Sequence, residues 1–286
     1  MESLYKCLGI SRQAFHQHLK KITLLSMRAK GLLGQIRRLR SDHPRLSCRK
    51  IYRILQPDYF GRDRFEQFCF QNGFKLYRKR SYHRTTDSRG VTRFDNLLAK
   101  RELTGVNQVW VSDITYYRIG EQYYYLTLIM DRFSRVIVGH SASRSLHTQV
   151  TTLPALNDAI KTRKPDKGLI LHSDGGGQYY AKEFKELTSS VELLNSMGKC
   201  AYENPHAERL NGTIKNDYLT YYRPSNLKEL TQMLTRAVYN YNNSRPHTSL
   251  RQYTPIEFEQ SLVNNSTSIT KRKKEPKKEK LSQQQQ

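Results

Sequence analysis

Three acidic residues of this chain sit where a carboxylate is costly or conspicuous: Asp113 in WVSDITYY, Asp174 in LHSDGGGQYY and Glu208 in ENPHAERLNGTIK. The first two interrupt or end apolar, strand-like runs, and the third lies on a helix-like stretch, so a fold could gather them. Three carboxylates converging in a strongly basic chain point to divalent metal acting on phosphate esters. Hard oxygen ligands suit Mg²⁺, which keeps several waters and takes only a few carboxylates. Two such ions, roughly 3.5–4 Å apart, stabilise both the attacking and the leaving oxygen of a phosphodiester. The expectation is therefore that Asp113, Asp174 and Glu208 are catalytic and hold two Mg²⁺ ions, with Mn²⁺ as a substitute.

Each acid also has a plainer reading. Asp is disfavoured in mid-strand, and burying it unpaired is expensive unless a ligand or hydrogen bonds compensate, so Asp113 needs a structural partner or a metal. Asp174 is followed by Gly175, Gly176 and Gly177. Such glycines let backbone approach a substrate closely, at the strand-to-loop position where ligand sites collect in open α/β sheets. They spell neither GxGxxG nor a P-loop, so nucleotide binding is not implied. At about 100° per residue, Glu208, Asn211 and Lys215 share one helical stripe while Ala207, Leu210 and Ile214 share another. An ordinary solvated helix face is the alternative for the polar stripe. Glu203 competes as third ligand but precedes Asn204-Pro205, ahead of the helix. A hairpin turn at Gly120-Glu121 would set Asp113 opposite Leu128 and send Asp131 to the other face. Asp131 then reads as structural, paired with Arg132 or Arg135, and His172 as strand-end packing.

The elements that must position these groups begin at Val106. Segments 108–118 and 123–130 read as a hairpin, 135–143 as a third strand and 147–163 as a helix in which Pro154 marks a kink or a later start. Strand 168–174, a helix over AKEFKELTSS, strand 191–196 and helices near 205–219 and 226–243 follow. Three consecutive strands and then alternating helix and strand give an α/β mixed sheet flanked by helices.

Ahead of it the chain reads helical, with Gly9 as a break and Ser11 as a cap. Two short helices follow, over HPRLSCRKIYRIL and RFEQFCFQNGF, the second closed by a left-handed Gly73. This is a small all-α region of helix-turn-helix type, with Arg49, Lys50, Arg62 and Arg64 as candidate DNA contacts. The expected domains are residues 1–80 (helix-turn-helix region), 81–103 (basic linker), 104–262 (catalytic core) and 263–286 (disordered basic tail).

Charge supports a polyanionic partner. The net charge is +24, and residues 1–100 carry 23 Lys/Arg against 7 Asp/Glu while residues 271–286 carry 7 against 2. The middle is nearly neutral, so the ends supply the long-range attraction, for which nucleic acid is the commonest target. Cys7, Cys48, Cys69 and Cys200 form no CxxC pair, which argues against a disulfide framework or cysteine zinc site and for a reducing cytoplasm. No signal peptide and no apolar run near the ~20 residues of a membrane span is present, so no membrane association is expected.

The motifs WVSDITY, DRFSRVIVG, LHSDGGGQY, ENPHAERLNGTIK and YNNSRPHTSLRQYTPIEF, in this order, resemble the integrase-core transposases of bacterial insertion sequences, most closely the second-frame product of the IS3 group. The resemblance covers roughly residues 40–260. It implies a ribonuclease-H-like fold, a catalytic triad mapped onto Asp113, Asp174 and Glu208, and a DNA-gripping basic residue mapped onto Lys215. It further implies cleavage at element ends, strand transfer into target double-stranded DNA, and a homo-oligomer assembled on the terminal inverted repeats. The spacing from Asp174 to Glu208 is shorter than is usual in the group, Glu203 stands where the group has Asp, and the retroviral His/His/Cys/Cys module is absent. Members are commonly made as fusions with an upstream zipper-containing subunit; no zipper is evident here, so such a fusion or partner is expected. The alternative is a non-catalytic DNA-binding regulator derived from a transposase.

Overall fold

The computed structural model describes residue 9 and residues 11–77, 94–98, 102–198 and 203–272. Most of the linker expected over 81–103, the residues before Gly9 and the tail from 273 onward lie outside these. The chain separates into two compact units, residues 1–80 and 81–286.

The first unit is helical. Ser11 caps α1 (Arg12–Asp42), its hydroxyl accepting from the Ala14 amide at 3.1 Å. α1 runs for 31 residues, much longer than periodicity alone delimits, because no Pro interrupts it and Gly31 and Gly34 are tolerated. α2 (Cys48–Leu55) and α3 (Arg62–Gln71) pack on its carboxyl-terminal half around Leu32, Ile36, Leu46, Ile51 and Phe65, all buried. Gly73, at φ +80°, ends α3: its amide bonds to Phe70 and the Phe74 amide to Cys69, so two otherwise orphaned carbonyls are satisfied.

The second unit is a five-stranded sheet in the order β3-β2-β1-β4-β5. β1 (Val109–Ile119) and β2 (Gln122–Asp131) form the antiparallel hairpin, with Asp113 opposite Leu128 and Trp110 opposite Asp131. β3 (Ile137–Ser143) extends it antiparallel, while β4 (Ile170–Ser173) and β5 (Leu194–Met197) run parallel to β1. α4 (Thr152–Arg163) and α5 (Lys182–Ser190) cover one face together with Trp110, Ile129 and Val138. Pro154 falls inside the first turn of α4, where a missing N–H costs nothing. α6 (Pro205–Thr213) and α7 (Leu227–Ser244) cover the other face with Val109, Val111, Leu126 and Leu128. A meander of three strands extended by two parallel ones between helical layers is a ribonuclease-H-like sheet.

Two expectations need correcting. The helix expected over 205–219 changes at Ile214 into a π-helical segment, Ile214–Leu219. Ile214, Tyr218 and Leu219 of this segment are all in the core. The segment from 263 is not unstructured throughout. α8 (Pro255–Arg272) continues ten residues into it, since no Gly or Pro stops the helix before Pro276.

Gly139 on β3 marks the tightest contact of sheet and helix, because an added Cβ would stand 2.1 Å from the Ala155 carbonyl oxygen of α4. Gly139→Ala must therefore push α4 off the sheet. The expected loss is ~1–3 kcal/mol, read as a lower denaturant midpoint at unchanged m-value; an unchanged midpoint would show that the two layers do not pack this closely.

Candidate active site

Asp113 projects from the face of β1 that carries Val109 and Val111, toward α6. Its Oδ2 accepts from the Asn211 amide at 2.7 Å. Burial, then the charge of Asp174, push its carboxyl up to about 7; the Asn211 bond and the Ile114 amide oppose this, and the charge of Glu208 adds to it. Asp174 directly follows β4, and burial raises its pKa against the bond its Oδ1 accepts from the Gly176 amide at 3.1 Å. Gly176 is required for space rather than for backbone freedom: a Cβ there would meet Asp174 Oδ1 at 3.1 Å and Gln178 Oε1 at 3.2 Å.

Glu208 lies in the first turn of α6 and is exposed, while Ala207, Leu210 and Ile214 are buried against the sheet. The apolar stripe thus fixes the helix, and the polar one carries Glu208 and Asn211 to the carboxylate side. Glu203, the rival glutamate, is turned away and accepts from Asn96 at 3.0 Å; it is Glu208 whose charge reaches Asp113. Lys215, at the start of the π segment, donates to the Tyr116 carbonyl at 3.3 Å and sits 5.0 Å from that ring's centroid. Burial lowers its pKa, and Asp113 opposes the shift.

So Asp113 and Asp174 form the buried part of the cluster and Glu208 stands at its rim. Among the described residues no group of three His, Cys, Asp or Glu side chains is drawn tightly enough to enclose a metal ion. The donors nevertheless fit a magnesium-type ion: all are hard oxygens, two carry pKa values raised chiefly by burial, and Asn211 Oδ1 is buried without a partner.

Family models match in two adjoining stretches, both described as integrase core domain, over residues 104–202 and 189–255. The uncharacterized 31 kDa protein of insertion element IS600 from Shigella sonnei is 33% identical over 204 residues, 69% of this chain and 74% of that protein. The chain belongs to the integrase-core DDE transposases of the IS3 group. The transposase of IS904 from Lactococcus lactis is 29% identical across 64% of this chain and 72% of its own length. Transposase InsF of IS3A from Escherichia coli is 30% identical across 54% and 55%. Among solved structures, the HTLV-2 integrase catalytic core domain in complex with magnesium is 23% identical, with TM-score 0.44, and covers 54% of this chain and 96% of that one.

Around the carboxylates the transposase places polar residues that periodicity does not single out. Tyr179, buried, shares a hydrogen bond with Ser112 Oγ at 2.9 Å; burial and the charges of Asp174 and Asp113 push its hydroxyl up. Asn204 donates to the Ser112 carbonyl at 3.0 Å and anchors the start of α6 to β1. The signal available for both was a polar or phenolic side chain in an otherwise apolar setting. Asp131 is structural, but its partners are not arginines: it accepts from the amides of Asn107, Phe133 and Ser134 and from the Ser134 hydroxyl. The turn supplies the Phe133 and Ser134 amides and the segment before β1 supplies that of Asn107, which satisfies a buried carboxylate without a second buried charge. His172 is fully buried, with Nδ1 3.0 Å from Ser196 Oγ, in keeping with packing.

Of the candidate DNA contacts in the first unit, Arg49 pairs with Glu66 at 3.2 Å and Arg62 with Asp63 at 2.9 Å, both arginines being largely exposed. Such surface pairs contribute ~0–1 kcal/mol and exchange readily. Arg64 is exposed and Lys50 half-buried.

The Asp113 shift has a measurable consequence. Its value of about 7 lies above the ordinary 3.8, so between these the folded state binds more protons than the unfolded one and stability falls as pH rises, levelling off above about 7. With chelator present, Asp113→Asn is expected to be ~1–4 kcal/mol more stable than the parent above that range, and no different as pH approaches 3.8. Parallel stability curves for the two proteins would contradict the assigned environment.

Proposed function

We propose that Asp113, Asp174 and Glu208 are the catalytic carboxylates of this transposase and that they hold two Mg²⁺ ions, replaceable by Mn²⁺. The observation that carries this reading is that Asp113, held by Asn211 of α6, lies within electrostatic reach of both Asp174 and Glu208. When bound, the metal would supply Lewis-acid stabilisation of the oxygens that gain charge during phosphodiester cleavage and joining. The chain's own groups do the positioning. Asn211 holds Asp113 by Oδ2, which leaves its other oxygen for a ligand. The Gly176 amide does the same for Asp174 through Oδ1. Lys215, a cation already within electrostatic reach of Asp113, is suited to grip the phosphate next to the reacting one.

The substrates in this reading are the double-stranded inverted repeats at the element ends and the target DNA into which a 3′-hydroxyl is joined. Arg49, Lys50, Arg62 and Arg64 supply DNA contacts from the helix-turn-helix region. The active form is a homo-oligomer on DNA, working with or fused to an upstream zipper-containing subunit. Exposed cations of the first unit provide sequence-independent attraction, which falls steeply with salt.

The test is Asp174→Asn. Strand cleavage of terminal-repeat DNA in Mg²⁺ should drop at least ~10³-fold, the scale on which removing a charge-stabilising group from such a centre acts, while DNA affinity changes little. Cleavage at near-parental rates by this variant would refute the assignment.

A further inference from the structure

On the α6 face of the sheet, at the start of that helix and within one turn of Glu208, lies a cavity of about 250 Å³ lined by Val111, Arg132, Glu203, Asn204 and His206 among others. That is well above the ~30 Å³ share of a single water. Arg132 Nη1 is buried and has no partner. Arg135 sits beside it with a left-handed backbone, φ +66°, and its Nη1 is 2.8 Å from His206 Nδ1. A guanidinium can only donate, so this imidazole nitrogen accepts and the ring is neutral in this arrangement. Arg132, Arg135 and Arg209 all act electrostatically on His206. Among the described residues none of the three arginines forms an ion pair with a carboxylate.

The acids that face this group are already committed. Asp131 accepts from three amides and a hydroxyl, and Glu203 accepts from Asn96. Three guanidinium groups thus share one corner with the Asp131 and Glu203 carboxylates, both held by neutral donors, and one of the three has an unmade hydrogen bond. A donor left in this state costs its desolvation energy, and a left-handed non-glycine backbone at Arg135 costs ~1–3 kcal/mol more. Such costs persist only where the surrounding structure imposes them, and functional sites are among the places where they cluster. The N-cap of α6, Asn204, makes no side-chain capping bond, so the positive end of the helix adds to the same field. Asn204 Oδ1, buried and also without a partner, offers one acceptor in the cavity. Guanidinium forks match phosphate oxygens bidentately.

We propose that this cavity is a phosphodiester-binding site that seats the DNA backbone beside the carboxylate cluster, with Arg132 as its principal contact and Arg135 as its second. It deepens the proposed function and rests on that reading for the identity of the polyanion. Arg132 and Arg135 act as positioning residues: they fix a strand relative to Asp113 and Asp174 without touching the reacting phosphorus. Asn204 Oδ1 then receives a donor carried by the same strand.

The experiment measures binding of the full chain to a labelled mixed-sequence duplex over a salt series, with cleavage assayed on the same preparations. Arg132→Gln should weaken binding roughly 3- to 10-fold and flatten the slope of log K against log salt by about 0.9, the loss of one phosphate contact. Arg132→Lys should restore the slope, because the charge returns, while keeping part of the affinity loss, because the fork does not. An unchanged slope in Arg132→Gln, alongside cleavage abolished by Asp174→Asn, overturns the cavity site and leaves the carboxylate centre standing. Weakened binding that lysine does not rescue marks a packing defect and overturns it as well. Cleavage surviving in Asp174→Asn with a flattened slope in Arg132→Gln supports the cavity site and removes the catalytic reading instead.

Discussion

A half-buried carboxylate on a central strand, within reach of two more, is the constraint around which the second unit is built. Asp113 is held between burial and the charges of Asp174 and Glu208, all of which push its carboxyl toward the protonated form. Only Asn211, one backbone amide and the more distant Lys215 push back. Without those groups a mid-strand acid would be an error of folding. The position of α6 follows from this. Its buried stripe of Ala207, Leu210 and Ile214 seats it on β1 and β2, and the same rotation delivers Asn211 to Asp113. The π segment then buries Ile214, Tyr218 and Leu219 while Lys215 reaches the Tyr116 carbonyl at the edge of β1.

That seating has to be rigid, and polar clamps outside the cluster make it so. Asn242 of α7 both donates to and accepts from Ile137, at 2.9 Å each way, copying a strand neighbour at the start of β3. Arg245, over the Tyr218 ring, reaches Asp217 at 2.6 Å and ties the end of α7 to the π segment. Arg163 grips Glu259 with both of its terminal nitrogens at 2.7 Å, which pins α8 to α4. Each is a directional bond between elements that nonpolar packing alone would allow to slide. The buried layers give the stability, and these bonds give the register.

Much of this was legible in the sequence, for reasons that can be named. The hairpin turn at Gly120-Glu121 has one compatible pairing, and period-two burial then assigns Asp113 and Asp131 to opposite faces. The separation of Ala207, Leu210 and Ile214 from Glu208 and Asn211 follows from helical geometry. What stayed hidden depends on contacts between distant segments. Nothing local to Asp131 reveals that its own turn and the distant Asn107 together supply it with three amides, and arginines nearby in sequence made an ion pair the simpler reading. The π segment is invisible for a similar reason: its sequence is compatible with an α-helix, and nothing local marks the wider turn. Glu208 at the rim rather than within a closed ring of ligands is likewise a tertiary fact.

Charge is divided between the two units in a way that separates capture from placement. Residues 1–80 hold 19 of the 49 Lys and Arg, against 5 acids, and Arg49, Arg53, Arg62 and Arg64 on α2 and α3 are exposed. Charges of that kind attract a polyanion from a distance and impose little geometry, since each exposed contact is exchangeable and screened by salt. In the nearly neutral core the cations of the proposed sites, Lys215, Arg132 and Arg135, are few and partly buried. Burial raises the cost of each and narrows the positions in which a phosphate can relieve it. A strand held at both sites would have its reacting phosphate confined near Asp113 and Asp174. On this argument the neutrality of the core is itself functional, because a surface uniformly rich in lysine would bind DNA in many registers and present the reacting phosphate in few of them.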